Sequence, residues 1–111
     1  MTNTVIYARS TVNEMELQNQ IKTLTEFAEE KNLNIKGIFS DTNKEKKGLK
    51  NALQLLDTIE DAQILVINTD RITRDIQEMQ KILEKYNVIT PNMTYEQLVS
   101  DINDLMGNPL V

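Results

Sequence analysis

Apolar residues recur along the chain at two alternating spacings. Thr4-Val5-Ile6-Tyr7-Ala8 is a short β-prone run that reads as a buried strand. Leu17, Ile21, Leu24 and Ala28 then recur at helical spacing, so residues 14–31 read as an amphipathic helix. Asn34 to Phe39 reads as a second strand, and Asp41 to Lys47 as a polar loop without an apolar residue. Leu49, Ala52, Leu53 and Leu56 mark a second helix. Gln63-Ile64-Leu65-Val66-Ile67 is the clearest buried strand, and Ile72, Ile76, Met79 and Leu83 mark a third helix. Asn87 to Thr90 makes a fourth strand ended by Pro91. Thr94 and Gln97 have the spacing of a capping box. They open a short last helix over 94–106, with Leu98, Ile102 and Leu105 inward and Gly107 as its stop.

This alternation predicts an α/β fold: a mostly parallel central sheet of four to five strands with helices on both faces. In such sheets a ligand site lies beyond the carboxyl ends of the strands. Three strand ends therefore carry the candidate chemistry: Arg9-Ser10-Thr11, Ser40-Asp41 and Asn68 to Arg71.

Composition narrows the chemistry. The 111 residues suit one domain, with neither repeats nor low-complexity tracts. The chain has no cysteine and no histidine, so disulfides, thiolate metal sites and a histidine base are excluded; no metal and no cofactor is expected. The residues Met1-Thr2-Asn3-Thr4 do not open a signal peptide, no apolar run reaches membrane-spanning length, and a cytoplasmic location without membrane contact is expected. The three glycines, Gly37, Gly48 and Gly107, form no nucleotide-cradling loop.

The formal net charge of -5 argues against a broad basic surface, so any anion site is local. Nine of the twelve basic residues are scattered lysines. The three arginines are Arg9, Arg71 and Arg74, and all fall at strand ends. Arg71 and Arg74 are expected in the first turn of the third helix, where cations oppose the helix dipole. A bound anion would remove that conflict, and a guanidinium takes phosphate oxygens two at a time. The plainer alternative is surface ion pairs with Asp70, Asp75 or Glu78. Asp70 itself reads either as the cap of that helix or as a catalytic group. Ser10 and Thr11 read as turn or cap residues or as nucleophiles.

Taken in order, several of these segments resemble the serine recombinases, the resolvase and invertase family. They are Tyr7-Ala8-Arg9, Leu17 with Gln20 to Leu24, Ile38 to Asp41, Lys46-Lys47-Gly48-Leu49, and Asp70-Arg71-Ile72-Thr73-Arg74-Asp75 after the buried strand 64–67. The likeness covers about residues 4–90. It implies a three-layer resolvase-like domain over 1–111. It also implies site-specific cleavage and exchange of DNA strands, in mobile elements or phage, through a covalent phosphoserine link that needs neither metal nor nucleotide. Arg9, Arg71, Arg74 and Lys46 would then bind the phosphate; Ser10 or Thr11 would attack it. Asp70 would belong to the catalytic set, with Tyr7, Gln20 and Asp41 in support.

The chain departs from that pattern. An ungapped match places Thr11 where the family has its serine, with Ser10 one residue earlier. Lys46 stands for an arginine, and the loop after Asp41 is short. Residues 94–106 read as a remnant of a longer dimerisation helix, acidic through Glu96, Asp101 and Asp104, with no DNA-binding module after it. These departures imply impaired activity and weak binding of DNA by this chain alone. They leave open a non-catalytic role, association with itself or with a full-length recombinase through the C-terminal helices. An unrelated signalling-type phosphate-binding domain rests on Asp41 and Asp70 alone.

Overall fold

In a computed structural model, which describes residues 2–42 and 45–105, the first strand β1 (Asn3–Ser10) is flanked by β2 (Asn34–Thr42) and β3 (Ala62–Leu65). β4 (Asn87–Ile89) lies beyond β3, so the order is β2-β1-β3-β4, and every pairing is parallel. The helices are α1 (Glu14–Glu30), α2 (Lys47–Asp57), α3 (Ile76–Lys85) and α4 (Tyr95–Leu105). The expected α/β architecture is the one observed.

The strand order explains the layers. From β1 to β2 the chain steps one way across the sheet; from β2 to β3 and on to β4 it steps the other. Crossovers of one hand then place α1 on one face and α2 and α3 on the opposite face. The core divides accordingly. Ile6 and Leu65 pack with Leu24 and Ala28 of α1. Val5, Tyr7, Ile64, Val66 and Val88 point the other way, toward Leu49, Ala52 and Leu56 of α2, Met79 and Leu83 of α3, and Leu98 and Ile102 of α4. The helices are therefore unevenly shared between the faces.

Two sequence expectations change here. The inward stripe of α1 is Leu17, Gln20, Leu24 and Ala28, with Ile21 only half-buried on its flank. The third helix starts later than its apolar spacing implies. Thr69–Arg71 forms a single 3₁₀ turn, and α3 begins only at Ile76. Asp75, not Asp70, is the cap, its Oδ1 accepting from Gln77 N at 2.9 Å and Glu78 N at 3.3 Å. Thr73 Oγ1 in turn accepts from Asp75 N at 3.1 Å. These short polar side chains satisfy backbone donors that a helix starting further back would have to supply for itself. Arg71 and Arg74 thus precede α3 and do not sit in its first turn. The helix-dipole argument for an anion loses its premise, and the case for a site rests on side-chain geometry instead.

The last helix meets expectation at its start. Thr94 N donates to Gln97 Oε1 at 2.8 Å and Gln97 N to Thr94 Oγ1 at 3.3 Å, a reciprocal capping box. Leu98 and Ile102 are buried against the chain's own core, and the Tyr95 hydroxyl donates to the Leu83 carbonyl. Leu105, expected to point inward, is 62% exposed. Met106 and Gly107 lie outside the described residues. No helix among the described residues is long and apolar enough to cross a membrane.

Candidate functional site

The site follows from where the strands stop. β3 pairs with β1 only from Asn3 to Ile6, whereas β1 runs on to Ser10. The sheet's direction of growth reverses at β1, so a crevice opens beyond β3 beside the last residues of β1. Gln20 fills part of it. Its Nε2 donates to the Arg9 carbonyl at 2.9 Å, and its Oε1 accepts from Arg9 N at 3.3 Å. A side-chain amide thereby serves both backbone groups of Arg9 as a neighbouring strand would. This role explains why a polar residue takes an inward position on α1.

Arg9 reaches across this crevice to the turn that carries Arg71. Arg9 Nη2 donates to the backbone carbonyl of Asp70 at 3.0 Å, tying the end of β1 to the 3₁₀ turn after β3. The carboxylate of Asp70 takes no part in that bond. Ile72, fully buried, pins the segment from below and leaves Arg71 at the rim. Arg71 Nη2 stands 3.4 Å from Glu16 Oε1, and that oxygen also accepts from Gln20 Nε2 at 3.2 Å. A continuous polar chain therefore runs from the backbone of Arg9 through Gln20 and Glu16 to Arg71. Arg71 Nε is buried with no hydrogen-bond partner among the described residues. Arg74 is exposed and makes no ion pair with any described residue.

The alternative partners Asp70, Asp75 and Glu78 do not take Arg71. Glu78 pairs with Lys46, at 3.5 Å and largely in solvent. Glu16 is the site residue that sequence reasoning missed. A signal for it existed, because Glu16 precedes Gln20 by one helical turn on the face that approaches β1.

The two hydroxyl residues are placed differently. Ser10 ends β1 on the face opposite Tyr7 and Arg9, is 2% exposed, and its Oγ accepts from Val12 N at 3.1 Å. Thr11 follows the strand and is exposed. Lys46 and Lys47 are exposed at the start of α2, and Lys44 lies outside the described residues.

Asp41 has a supporting position of a different kind. It is 4% exposed at the end of β2, in register with Arg9. Its carboxylate accepts from the Tyr7 hydroxyl at 2.7 Å, Gly48 N at 2.7 Å and Leu49 N at 2.9 Å. Lys46 offers no side-chain cap to α2, so Asp41 caps the helix from a distance, where the helix dipole favours a negative charge. The approach is so close that a Cβ on Gly48 would lie 2.3 Å from the Ser40 carbonyl oxygen. The Gly-Leu pair thus has a mechanical reason: glycine for clearance, leucine for the core.

Burial and the hydrogen bond to Asp41, strengthened by that carboxylate's charge, push the Tyr7 phenol well above its ordinary value, against a smaller opposing effect of Arg9. A folded-state value above the unfolded one means that the folded protein keeps a proton the unfolded chain gives up. This contribution is intact below about pH 10 and is lost as pH rises beyond it, by up to about 1.4 kcal/mol per pH unit. Urea midpoints measured from pH 8 to 11 should fall more steeply for the wild type than for Tyr7→Phe. Parallel profiles would contradict this account.

Among the described residues no group of three acidic side chains converges as a metal site would require. A cleft of about 520 Å³ lies elsewhere, between the end of α1 and the β4–α4 connection, lined by Phe27, Lys31, Ile89, Met93 and Tyr95 among others. The arginines contribute nothing to it.

Comparison with known proteins agrees with this architecture. The family model for the resolvase N-terminal domain matches residues 4–89. The fold is similar to the C-terminal catalytic domain of ISC1926 TnpA, an IS607-like serine recombinase, with a TM-score of 0.69 and 23% identity over 94% of this chain and 80% of that one. It is similar to the N-terminal catalytic domain of TP901-1 integrase, with a TM-score of 0.69 and 19% identity over 95% and 94%. A resolvase family site-specific recombinase from Streptococcus pneumoniae aligns with a TM-score of 0.79 and 17% identity over 96% and 86%. At these identities the likeness is one of fold. No curated protein matches the chain. The family match covers all four strands but for Asn3, the first three helices and all three arginines, and by it this chain belongs to the resolvase family as an N-terminal-type domain of serine recombinases.

Proposed function

We propose that this domain binds a DNA phosphate at the rim formed by Arg9, Arg71 and Arg74, with Lys46 beside it, and attacks it with the hydroxyl of Thr11. The observation that carries this reading is the tie between the ends of β1 and β3: Arg9 bonded to the Asp70 carbonyl, with Arg71 next in sequence and its Nε without a partner. The guanidinium groups of Arg9 and Arg71, joined by the exposed Arg74 three residues further on, would supply the charge that a phosphoryl transition state needs. Attack by the hydroxyl oxygen on phosphorus forms the protein–DNA ester and breaks the bond to the leaving sugar oxygen, which takes up a proton. Reversal with a new DNA end completes strand exchange. Thr11 is preferred over Ser10 because Ser10 is buried on the opposite face with its oxygen already engaged. Asp70 contributes its carbonyl, and Tyr7, Gln20 and Asp41 hold the frame.

The test is binding of a short DNA duplex, followed by anisotropy at low and moderate salt. Arg71→Ala and Arg9→Ala should each weaken binding several-fold, whereas Lys36→Ala, on the exposed strand β2 away from the rim, should not. Equal effects at all three positions would reduce the binding to general electrostatics. The work would be done in the cytoplasm, on mobile-element or phage DNA.

A second reading is a non-catalytic relative that associates with itself or with a full-length recombinase. One observation favours it: Leu105 extends the apolar side of α4 into solvent. Concentration-dependent sedimentation without any DNA adduct would select this reading.

A further inference from the structure

Arg71 presents one edge of its guanidinium, carrying Nε and Nη2, as the pair of donors that a phosphate takes in a bidentate contact. In this structure that edge is half used. Nη2 is 3.4 Å from Glu16 Oε1, well beyond the distance of a strong charge-assisted bond, while Nε is buried and unpartnered. Among the described residues Glu16 is the one acidic side chain that pairs with an arginine here, since Asp70 contributes only its backbone carbonyl.

A helix-dipole reason for an acidic residue in the first turn of α1 exists, but it does not explain the direction of this one. Glu14, in the same turn, accepts from Gln18 Nε2 at 3.1 Å, along its own helix. Glu16 is held inward by Gln20 Nε2 at 3.2 Å, the same amide nitrogen that bonds the Arg9 carbonyl. Its carboxylate is thus positioned by the device that orders the end of β1.

From this we infer that Glu16 is an internal competitor for the anion site, occupying the edge of Arg71 that a DNA phosphate would take and lowering the domain's affinity for it. The inference rests on the phosphate-binding reading given above. A single long contact to a carboxylate is a weak interaction. A phosphate group offers several oxygens, enough for Nη2 and the orphaned Nε together, so it displaces Glu16 instead of binding beside it. Until that happens, a negative charge stands where the ligand's charge must come. Removing it should therefore raise affinity, the opposite of what loss of a merely structural residue would do.

The experiment uses inorganic sulfate and a short DNA duplex as probes on the whole chain. The wild type, Glu16→Gln, Glu16→Ala, Arg71→Ala and the double variant Glu16→Gln/Arg71→Ala are compared after thermal melts have identified those that fold. Glu16→Gln keeps a group that Gln20 can bond, and Glu16→Ala guards against the new amide holding Arg71 itself. Both should bind either probe about three- to tenfold more tightly than the wild type, from loss of the competing pair and of its repulsion. In the Arg71→Ala background, Glu16→Gln should change affinity by less than about twofold, because the two residues act through one contact. Unchanged or weaker binding by both Glu16 variants overturns the inference. So does an equal gain in the Arg71→Ala background, which would make the effect one of net charge. If Arg71→Ala alone leaves binding intact, or if no variant binds either probe, the phosphate-site reading itself has failed.

Discussion

Asp41→Ala should destabilise the domain by about 3–5 kcal/mol, the cost expected when the acceptor of several buried bonds is removed. Three donors would be left without a partner: the Tyr7 hydroxyl and the backbone N–H groups of Gly48 and Leu49. Two of them belong to the first turn of α2, which has no side-chain cap of its own. A domain of this size is stable by about 5–15 kcal/mol in all, so the variant should be unfolded in a large fraction or melt far earlier. Asp41→Asn keeps one acceptor oxygen and should cost clearly less. Gly48→Ala attacks the same junction from the other side, since the new methyl must displace the Ser40 carbonyl or the helix start. Urea titration measures all three, and an Asp41→Ala midpoint within about 1 kcal/mol of the wild type would refute this account.

The second large effect concerns chemistry. With supercoiled DNA carrying candidate sites, the wild-type chain should form covalent protein–DNA adduct about 100-fold or more slowly than Thr11→Ser/Lys46→Arg. Each of the two changes has a physical basis. The β-methyl of threonine crowds an in-line attack and stiffens χ1. A lysine offers a point charge where an arginine would offer a fork, and loss of one well-placed transition-state donor costs on the order of 100-fold. Lys46 is also paired with Glu78 at 3.5 Å, a contact it must give up to take a phosphate. Thr11→Ala should abolish whatever adduct the wild type gives, and Ser10→Ala should spare it. The reverse pattern would move the attacking hydroxyl to Ser10. Efficient strand exchange by the unmodified chain would show that its departures from the family pattern are harmless.

Much of this was legible in the order of residues. Apolar spacing located each strand and helix, because burying one face of an element imposes its period on the sequence. The limits were least legible where polar side chains decide them. The start of α3 is the clearest case: Ile72 and Ile76 have helical spacing, yet Ile72 is a buried anchor in a turn and Asp75 begins the helix. Gln20 and Asp41 could be named as supporting residues only by resemblance, since neither residue type announces a strand-end clamp or a remote helix cap.

By itself the sequence determined the fold class, the order of elements and the place of Arg9 at the end of a strand. These follow from local periodicity and from the rule that parallel strands share one carboxyl edge. Tertiary structure alone decided which groups meet. The pairings of Arg9 with the Asp70 carbonyl, of Arg71 with Glu16 and of Asp41 with the start of α2 link residues brought together only when β1 takes the centre of the sheet. Parity along β1 set Ser10 on the α1 face, opposite Tyr7 and Arg9, but only the folded turn turned its oxygen back to Val12 and left Thr11 exposed. Contacts between distant segments depend on strand order and on the exact end of each element, and neither is written in the local pattern of apolar and polar residues.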